Sequence, residues 1–323
     1  MARFILGNAL RKAAAERPRL ARALWLADLA VVGGLVRALG LLPPDRASAL
    51  GRRLGRWVGP WLRGKSERIR DNLRIAFPEA ERRQIDAWVR EIWGEAGAVL
   101  AEYAHLDLLS DPAQGRLEVE IVERIPTYDD PSRPAVFVTA HLGNWELNAA
   151  AVASLGIRFI SLYTPPANPW LDRLLKQSRA ALGCELLPRH VNLRPLVKAL
   201  LEGRSVAMVA DRRIDEGAPV PFFGHPKPST LLPARLALRH RCPLVPVRIR
   251  RLGGARFRVS FLPPVPPPAV GDEEAKALAM MAEVHRLFES WIREHPEEWF
   301  CTQRLWRLDR STPQRGRSAV DVR

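Results

Sequence analysis

Residues 135–146 read Ala-Val-Phe-Val-Thr-Ala-His-Leu-Gly-Asn-Trp-Glu. Their first half is apolar or β-branched and predicts a buried strand that ends just before His141. In layered α/β sheets, ligand sites lie beyond the carboxyl ends of the strands, so His141 occupies a position where a site is expected. Gly143 permits a sharp turn there, and Asn144 predicts the N-cap of the next helix.

A carboxylate follows this histidine on the same segment. Because the helix is predicted to begin at Trp145, Glu146 falls in its first turn and can fold back onto the His141 ring. Glu146 would then fix the tautomer of the ring and stabilise the imidazolium, while the free ring nitrogen takes a proton from an attacking hydroxyl as general base. The remaining histidines have no comparable setting: His105, His190, His225, His240, His285 and His295. The sequence contains no H-E-x-x-H, G-x-S-x-G, Walker A or G-x-G-x-x-G motif, so no metal site is expected.

The chain beyond this segment alternates between predicted strands and predicted helices. Strands are predicted at 119–122, 135–140, 159–163, 206–210, 244–249 and 257–261, and helices at 168–182, 192–202, 230–241 and 272–294. Helical spacing of apolar side chains also predicts one long helix over 82–109. Strands separated by helices indicate an α/β fold, a layered sheet of mostly parallel strands with flanking helices.

The N-terminal part differs in composition. The apolar stretch between Arg22 and Arg37 is interrupted by Asp28 and is shorter than the ~20 residues that a spanning helix needs. It predicts an interfacial or weakly inserted anchor within 23–42, with a buried helix of the globular domain as the alternative. Residues 43–80 interleave Arg and Lys with Trp and Leu, as in a helix at a lipid headgroup layer. We therefore divide the chain into a membrane-anchoring helical region (1–80), an α/β domain (81–310) and a disordered tail (311–323).

The chain has a large positive net charge. Its 323 residues include 50 Lys and Arg against 35 Asp and Glu, a formal charge of +15. This excess predicts an anionic partner, either a membrane surface, a phosphorylated substrate or nucleic acid. No nucleic-acid motif is present, so no nucleic-acid partner is expected, and a non-enzymatic basic binding protein is the less favoured hypothesis. Cys184, Cys242 and Cys301 are far apart and predict free thiols.

The segment His-Leu-Gly-Asn-Trp-Glu at 141–146 resembles the H-x4-D/E signature of glycerolipid acyltransferases. In this full form it resembles the bacterial lipid A late acyltransferases, and the resemblance covers nearly the whole chain. Three further segments are similar to family patterns: 71–79 to RNL-x-x-x-FP-E, 163–179 to Y-x-P-x-x-NP-x-x-D…R, and 211–237 to an acidic residue, FFG, a Ser/Thr pair and AR-x-A.

This resemblance implies an acyltransferase domain at 81–310, in an enzyme on the cytoplasmic face of the bacterial inner membrane. The donor would be an acyl thioester of acyl carrier protein or coenzyme A, with no further cofactor. The acceptor would be a hydroxyl of an anionic lipid A precursor. We expect Arg179 to stabilise the oxyanion and Asn144 to bind substrate. Asp211 is expected to position the acceptor or to cap the next loop. Arg235, one helical turn before Arg239, is expected to meet acceptor phosphates or to form a solvated basic face.

The sequence departs from the family pattern in two places. Asp211-Arg212 stands where the family usually has Asp-Gln, and 296–305 lack an aromatic residue, a histidine and an arginine of the family's PEQW-x-W-x-HRR segment. Because the catalytic segment is intact, acyl transfer is expected, while the acceptor stays open. The alternative acceptors are a mannosylated phosphoinositide, an ornithine-type lipid and a lysophospholipid.

Overall fold

The computed structural model describes residues 11–188 and 193–306, and the predicted tail at 311–323 lies outside them. The helices are α1 (Arg11–Glu16), α2 (Pro18–Gly40), α3 (Pro44–Val58), α4 (Arg63–Ala76), α5 (Arg82–Glu102), α6 (Leu106–Ser110), α7 (Pro126–Asp129), α8 (Leu147–Ser154), α9 (Pro169–Arg179), α10 (Arg194–Leu201), α11 (Leu232–His240) and α12 (Glu273–Glu294). The strands are β1 (Leu117–Ile121), β2 (Val136–Thr139), β3 (Phe159–Tyr163), β4 (Glu185–Pro188), β5 (Ser205–Val209), β6 (Ala218–Phe222), β7 (His225–Ser229), β8 (Leu244–Gly253) and β9 (Arg256–Phe261).

Seven of these strands form one sheet, in the order β1-β9-β8-β2-β5-β3-β4. Neighbouring strands are parallel except for β8 and β9, which are antiparallel. All four residues of β2 are buried, as expected for a parallel strand that is covered on both faces. The predicted layered α/β fold with a mostly parallel sheet is confirmed.

The sequence pattern does not predict β4, β6 or β7. Strand β4 is only four residues long and ends in Pro188. Strands β6 and β7 form a separate antiparallel hairpin in which Pro219 pairs with Pro228 and Pro221 with Pro226. Proline has no N–H to donate to a strand ladder and is confined to sheet edges, so a proline-rich segment lacks the usual strand signal.

The helix α2 contains most of the predicted anchor. By length and composition it could cross a membrane, and most of its residues are exposed. Its 23 residues extend over about 34 Å, so the helix is longer than the uninterrupted apolar stretch indicates. The side-chain amide of Asn168 donates to the main-chain oxygen of Trp25 at 2.9 Å, and the rings of Trp25 and Trp170 lie 6.3 Å apart. The apolar helix therefore packs beside the start of α9.

The helices α3 and α5 approach each other through glycines. A Cβ atom at Gly51 would overlap the main chain of Gly97, and one at Gly55 would overlap the carbonyl group of Trp93. Only glycine lets two backbones come this close. The opposite face of α3 is consequently left to solvent. The predicted helix over 82–109 ends earlier than expected, because α5 stops at Glu102 and a 3-10 turn leads into α6.

Candidate active site

The register of two neighbouring strands brings His141 and Asp211 together. Strands β2 and β5 are parallel, and Thr139 lies opposite Val209. His141 and Asp211 each follow two residues after this pair, at the carboxyl ends of their strands. Since adjacent strands lie about 4.8 Å apart, the two side chains meet at the edge of the sheet.

His141 and Asp211 form a buried hydrogen-bonded pair. Nδ1 of His141 lies 2.6 Å from Oδ1 of Asp211, and the main-chain N–H of His141 donates to Oδ2 at 3.1 Å. Burial by itself raises the pKa of Asp211, but the neighbouring His141 outweighs it and holds that pKa well below its usual range. Nε2 of His141 has no hydrogen-bond partner within 11–188 and 193–306. The ring is thus oriented by a carboxylate and keeps one nitrogen free.

The expected contact of Glu146 with the His141 ring is wrong. The Glu146 carboxylate instead accepts two hydrogen bonds from Arg179, at 2.7 and 2.6 Å, and one from the Tyr103 hydroxyl at 2.6 Å. The expected N-cap is also wrong, since α8 begins at Leu147 without a side-chain cap. The reason is that Asn144 is fully buried and its amide donates to Glu102 at 2.9 Å.

Arg179, Glu146 and Tyr103 form a compact polar cluster. Burial alone lowers the pKa of Arg179, but the Glu146 carboxylate raises it above its ordinary value. Burial and then the Glu146 charge raise the pKa of Tyr103. Arg179 also donates to the Tyr103 hydroxyl at 3.0 Å. The cluster therefore presents a guanidinium whose direction is fixed by a bidentate carboxylate contact.

A cavity of about 410 Å³ opens beside the pair and this cluster. His141, Tyr103, Glu146 and Arg179 line it, and the rest of its wall is mainly apolar. Side chains that face it from the sheet and from α8 are Phe137, Phe159, Leu186, Ala207, Val209 and Val152. A mostly apolar cavity with a few convergent polar groups is the usual form of a small-molecule or cofactor site.

Three of the predicted substrate-binding residues, Asn144, Asp211 and Arg235, do not line this cavity. Asn144 belongs to the same loop as His141, and its side chain is buried against Glu102. Arg235 is exposed and pairs with Glu274 of α12, with nitrogen–oxygen distances of 2.6 to 3.0 Å. Arg239 is likewise exposed, in agreement with the solvated basic face that was the alternative for this pair. Arg179 lines the cavity, and Asp211 contacts the site through the ring of His141.

A sequence profile of the bacterial lipid A biosynthesis acyltransferases matches residues 16–308. The chain belongs to this family. It is similar to the lipid A biosynthesis myristoyltransferase of Escherichia coli K12, at 25% identity over 85% of this chain and 84% of that protein. It is also similar to the phosphatidylinositol mannoside acyltransferase of Mycolicibacterium smegmatis, at 26% identity over 62% of this chain and 66% of that protein.

Among solved structures, the chain is similar to the 1-acyl-sn-glycerophosphate acyltransferase of Thermotoga maritima. The match has 12% identity, covers 76% of this chain and 96% of that one, and has a TM-score of 0.34. The predicted family and enzyme class are confirmed by the family match: the protein is an acyltransferase.

In this acyltransferase, the C-terminal segment that departs from the family pattern packs on the loop 141–146, which carries His141. The N–H of Phe300 donates to the oxygen of His141 at 2.9 Å, and the N–H of Gly143 donates to the oxygen of Glu298 at 3.2 Å. The Trp299 indole donates to Oδ2 of Asp211 at 3.2 Å. The Asn72 side chain donates to the main chain of this segment at 2.9 and 2.7 Å. The positions at which 296–305 differ from the family pattern thus lie next to the loop 141–146.

Sequence reasoning missed several residues at this acyltransferase site. Tyr103 falls within the predicted helix over 82–109 and received no role in the site, and Trp299 lies in the segment 296–305 that was compared only with a family pattern. Glu102 and Lys227 received no role. The signal available for Lys227 was a lone lysine between two prolines, and only the fold shows that it is buried next to Asp211.

Proposed function

We propose that this acyltransferase moves a fatty acyl group from an acyl thioester to a hydroxyl of a lipid A precursor, with His141 as general base. The observation that carries the proposal is the His141–Asp211 pair at the wall of an apolar cavity. A histidine with one ring nitrogen held by a carboxylate and the other free has the arrangement of a general base.

The proposed reaction needs no covalent enzyme intermediate. Nε2 of His141 takes the proton of the acceptor hydroxyl as its oxygen attacks the thioester carbonyl carbon. The resulting tetrahedral oxyanion collapses, the carbon–sulfur bond breaks, and the thiolate takes the proton back from the imidazolium. The products are the ester and the free thiol. Asp211, whose low pKa keeps it ionised, stabilises the imidazolium in between.

The polar cluster supplies the proposed oxyanion contact. Arg179 lines the cavity together with His141, and Glu146 fixes its direction. A preorganised donor at a developing oxyanion contributes about 3 kcal/mol to transition-state stabilisation. In this proposal Glu146 serves the reaction by orienting Arg179, and Asp211 takes the role of orienting His141.

The acyl donor is the proposed occupant of the cavity. The wall is mostly apolar where β2, β3, β4 and β5 contribute to it, which suits a hydrocarbon chain. The thioester carbonyl would lie near His141 and Arg179. Acyl carrier protein and coenzyme A both supply such a thioester, and either is compatible with this arrangement.

We also propose that the protein works at the inner membrane, with its site facing the cytoplasm. The apolar helix α2 packs beside α9, the helix that carries Arg179. The outer face of α3 and the following turn expose Trp57 by 62% and Trp61 by 67%, next to Arg53 and Arg63, which are also exposed. Exposed tryptophans among arginines favour contact with anionic lipid headgroups.

A mannosylated phosphoinositide is the second candidate acceptor. It is favoured by the similarity to the mycobacterial mannoside acyltransferase and by the C-terminal departure, in which Cys301 replaces the family's aromatic residue beside the catalytic loop.

The test is acyl transfer in detergent or vesicles, followed by mass spectrometry of the lipid. Purified protein is incubated with acyl carrier protein loaded with 10- to 16-carbon chains (about the range of membrane acyl groups) and with either acceptor. We expect acyl mass on the lipid A precursor with the wild type, none with His141→Ala, and unchanged transfer with the matched control His225→Ala, which removes an exposed histidine.

The outcomes separate the parts of the proposal. Acylation of the mannosylated lipid alone would replace the acceptor and keep the chemistry. Transfer by His141→Ala at the wild-type rate would contradict the role of His141 as base.

A further inference from the structure

The hairpin strand β7 carries a fully buried lysine. The side chain of Lys227 has no exposed surface. Its ammonium donates to the main-chain oxygen of Asp211 at 2.9 Å and to that of Arg212 at 3.4 Å. The nitrogen also lies 5.1 Å from the centre of the Phe222 ring. Lysine is almost never fully buried unless its charge is compensated, so its position here calls for a partner.

The groups that face Lys227 come from two elements. Asp211 follows β5, and its charge acts to keep the ammonium protonated, although burial lowers the pKa of Lys227 to about 7. His285 comes from α12; burial and then the Lys227 charge lower its pKa to about 3, so this histidine is neutral. Within the described residues, Asp211 is the carboxylate that compensates Lys227, and Asp211 also holds His141.

We propose that Lys227 is a positioning residue for the His141–Asp211 pair: it fixes the turn after β5 and offsets the attraction of Asp211 for a proton on His141. The proposal rests on the proposed function, in which His141 must be unprotonated to act as a base.

The physical need for such a cation follows from the geometry of the pair. A carboxylate 2.6 Å from Nδ1 of His141 attracts positive charge in a buried site, and a ring that has become an imidazolium cannot accept the proton of a hydroxyl. The Lys227 ammonium is bound to the main-chain oxygen of the same residue, and when it is protonated its charge offsets that of the Asp211 carboxylate. The carboxylate still orients the ring and stabilises the imidazolium that forms during the reaction.

Two variants separate the charge from the hydrogen bonds. In Lys227→Met the new side chain has a similar length, and both the positive charge and the hydrogen bonds of the ammonium are removed. Lys227→Gln removes the charge and keeps an N–H donor. Circular dichroism establishes that each variant is folded.

The measurement is an NMR titration of the His141 ring in protein labelled at histidine, with the signal assigned by its loss in His141→Ala. We expect the midpoint of the His141 titration to rise by about half to one pH unit in both variants, since a buried charge is removed near the ring. A purely structural role would lower stability without moving the midpoint. A midpoint within about 0.2 pH units of the wild type in a folded variant would overturn the proposal.

The reciprocal titration covers the case in which neither variant folds. Linkage requires that a positive charge at position 141 lowers the titration midpoint of Lys227 by the same coupling. The side-chain signal of Lys227 is therefore compared in His141→Gln, which is neutral, and in His141→Arg, which is permanently charged, and an equal Lys227 midpoint in these two variants would contradict the proposal. Neither titration needs a substrate, so failure of acyl transfer and failure of this inference are distinguishable.

Discussion

His141, the proposed general base, is held from three sides by neighbouring chain segments. Asp211 binds its ring, Phe300 binds its carbonyl oxygen, and the ring of Trp145 stands edge-on to it with centroids 5.1 Å apart. A base that is fixed in this way loses little orientational freedom when a substrate arrives, and orientation of this kind lowers the reaction barrier.

We expect the ionisation of Glu298 to lower the stability of the folded protein as the pH rises to neutral. Burial, and then the charge of Glu95, raise its pKa to about 7, above the ordinary value of 4.5. The folded state therefore holds a proton that the unfolded chain has released, so stability is lost as the pH rises from about 4.5 to 7. We expect Glu298→Gln to exceed the wild type in free energy of unfolding by about 1–3 kcal/mol at pH 8 and to match it near pH 4.5.

Denaturant unfolding across this pH range checks the expectation. Glu79→Gln, which removes an exposed carboxylate, serves as the control and should show no such trend. A difference between Glu298→Gln and the wild type that stays constant with pH would be incompatible with a raised pKa.

At the scale of elements, a buried ionic network connects α3, α5 and β8 to the loop 141–146, which carries His141. The fully buried Glu102 accepts from Arg251 at 2.5 and 3.2 Å, from the Ser48 hydroxyl at 2.6 Å and from the Asn144 amide at 2.9 Å. Arg251 also binds Glu95 at 2.9 Å. This network joins helices of the N-terminal half to the segment that carries His141.

Glu102→Ala should destabilise the protein strongly. It leaves the Arg251 guanidinium buried and without its main partner, a change that costs about 3–5 kcal/mol. The matched control is Glu274→Ala, which breaks the exposed pair with Arg235 and should cost less than about 1 kcal/mol. Unfolding free energies of the two variants decide the point, and equal losses would contradict a structural role for the network.

Strands and helices that are marked by a local pattern of residues were predicted well. Contacts between side chains that are distant in the sequence were predicted poorly. The β3 strand was predicted with its observed ends because four of its five residues are apolar or aromatic. Asp211 directly follows the predicted strand at 206–210. Its contact with His141 depends on β5 lying next to β2 in the sheet, which no local pattern encodes. Glu146 was assigned to the ring because it is near in sequence, whereas in the fold it turns to Arg179.

At the scale of the whole molecule, the protein combines a mostly apolar cavity with an N-terminal part that exposes apolar and basic side chains. The cavity lies among the central strands, and α2 packs beside the helix that carries Arg179. A lipid acceptor at a membrane surface and a donor chain in the cavity could therefore meet at His141.

Filling the cavity should change the choice of acyl chain. Ala207 lies in the cavity wall on β5, and Ala207→Leu adds three carbon atoms there. We expect the preferred donor to become shorter by about two carbons, since an overfilled site excludes the longest chains. Competition among acyl donors of different length, read by mass spectrometry, checks this. The control Ala275→Leu, at an exposed position on α12, should keep the wild-type preference for chain length. An unchanged preference in Ala207→Leu would show that the acyl chain does not bind in this cavity.

The rate of a single turnover with Asp211→Asn is the most direct test of the proposed role of the His141–Asp211 pair. The amide cannot stabilise the imidazolium and favours the wrong ring tautomer, so we expect acyl transfer to slow by about 100-fold or more while the protein stays folded. The control Asp215→Asn, at an exposed aspartate of the same loop, should transfer at the wild-type rate. A folded Asp211→Asn enzyme that transfers within about threefold of the wild type would show that Asp211 does not support His141 in the reaction.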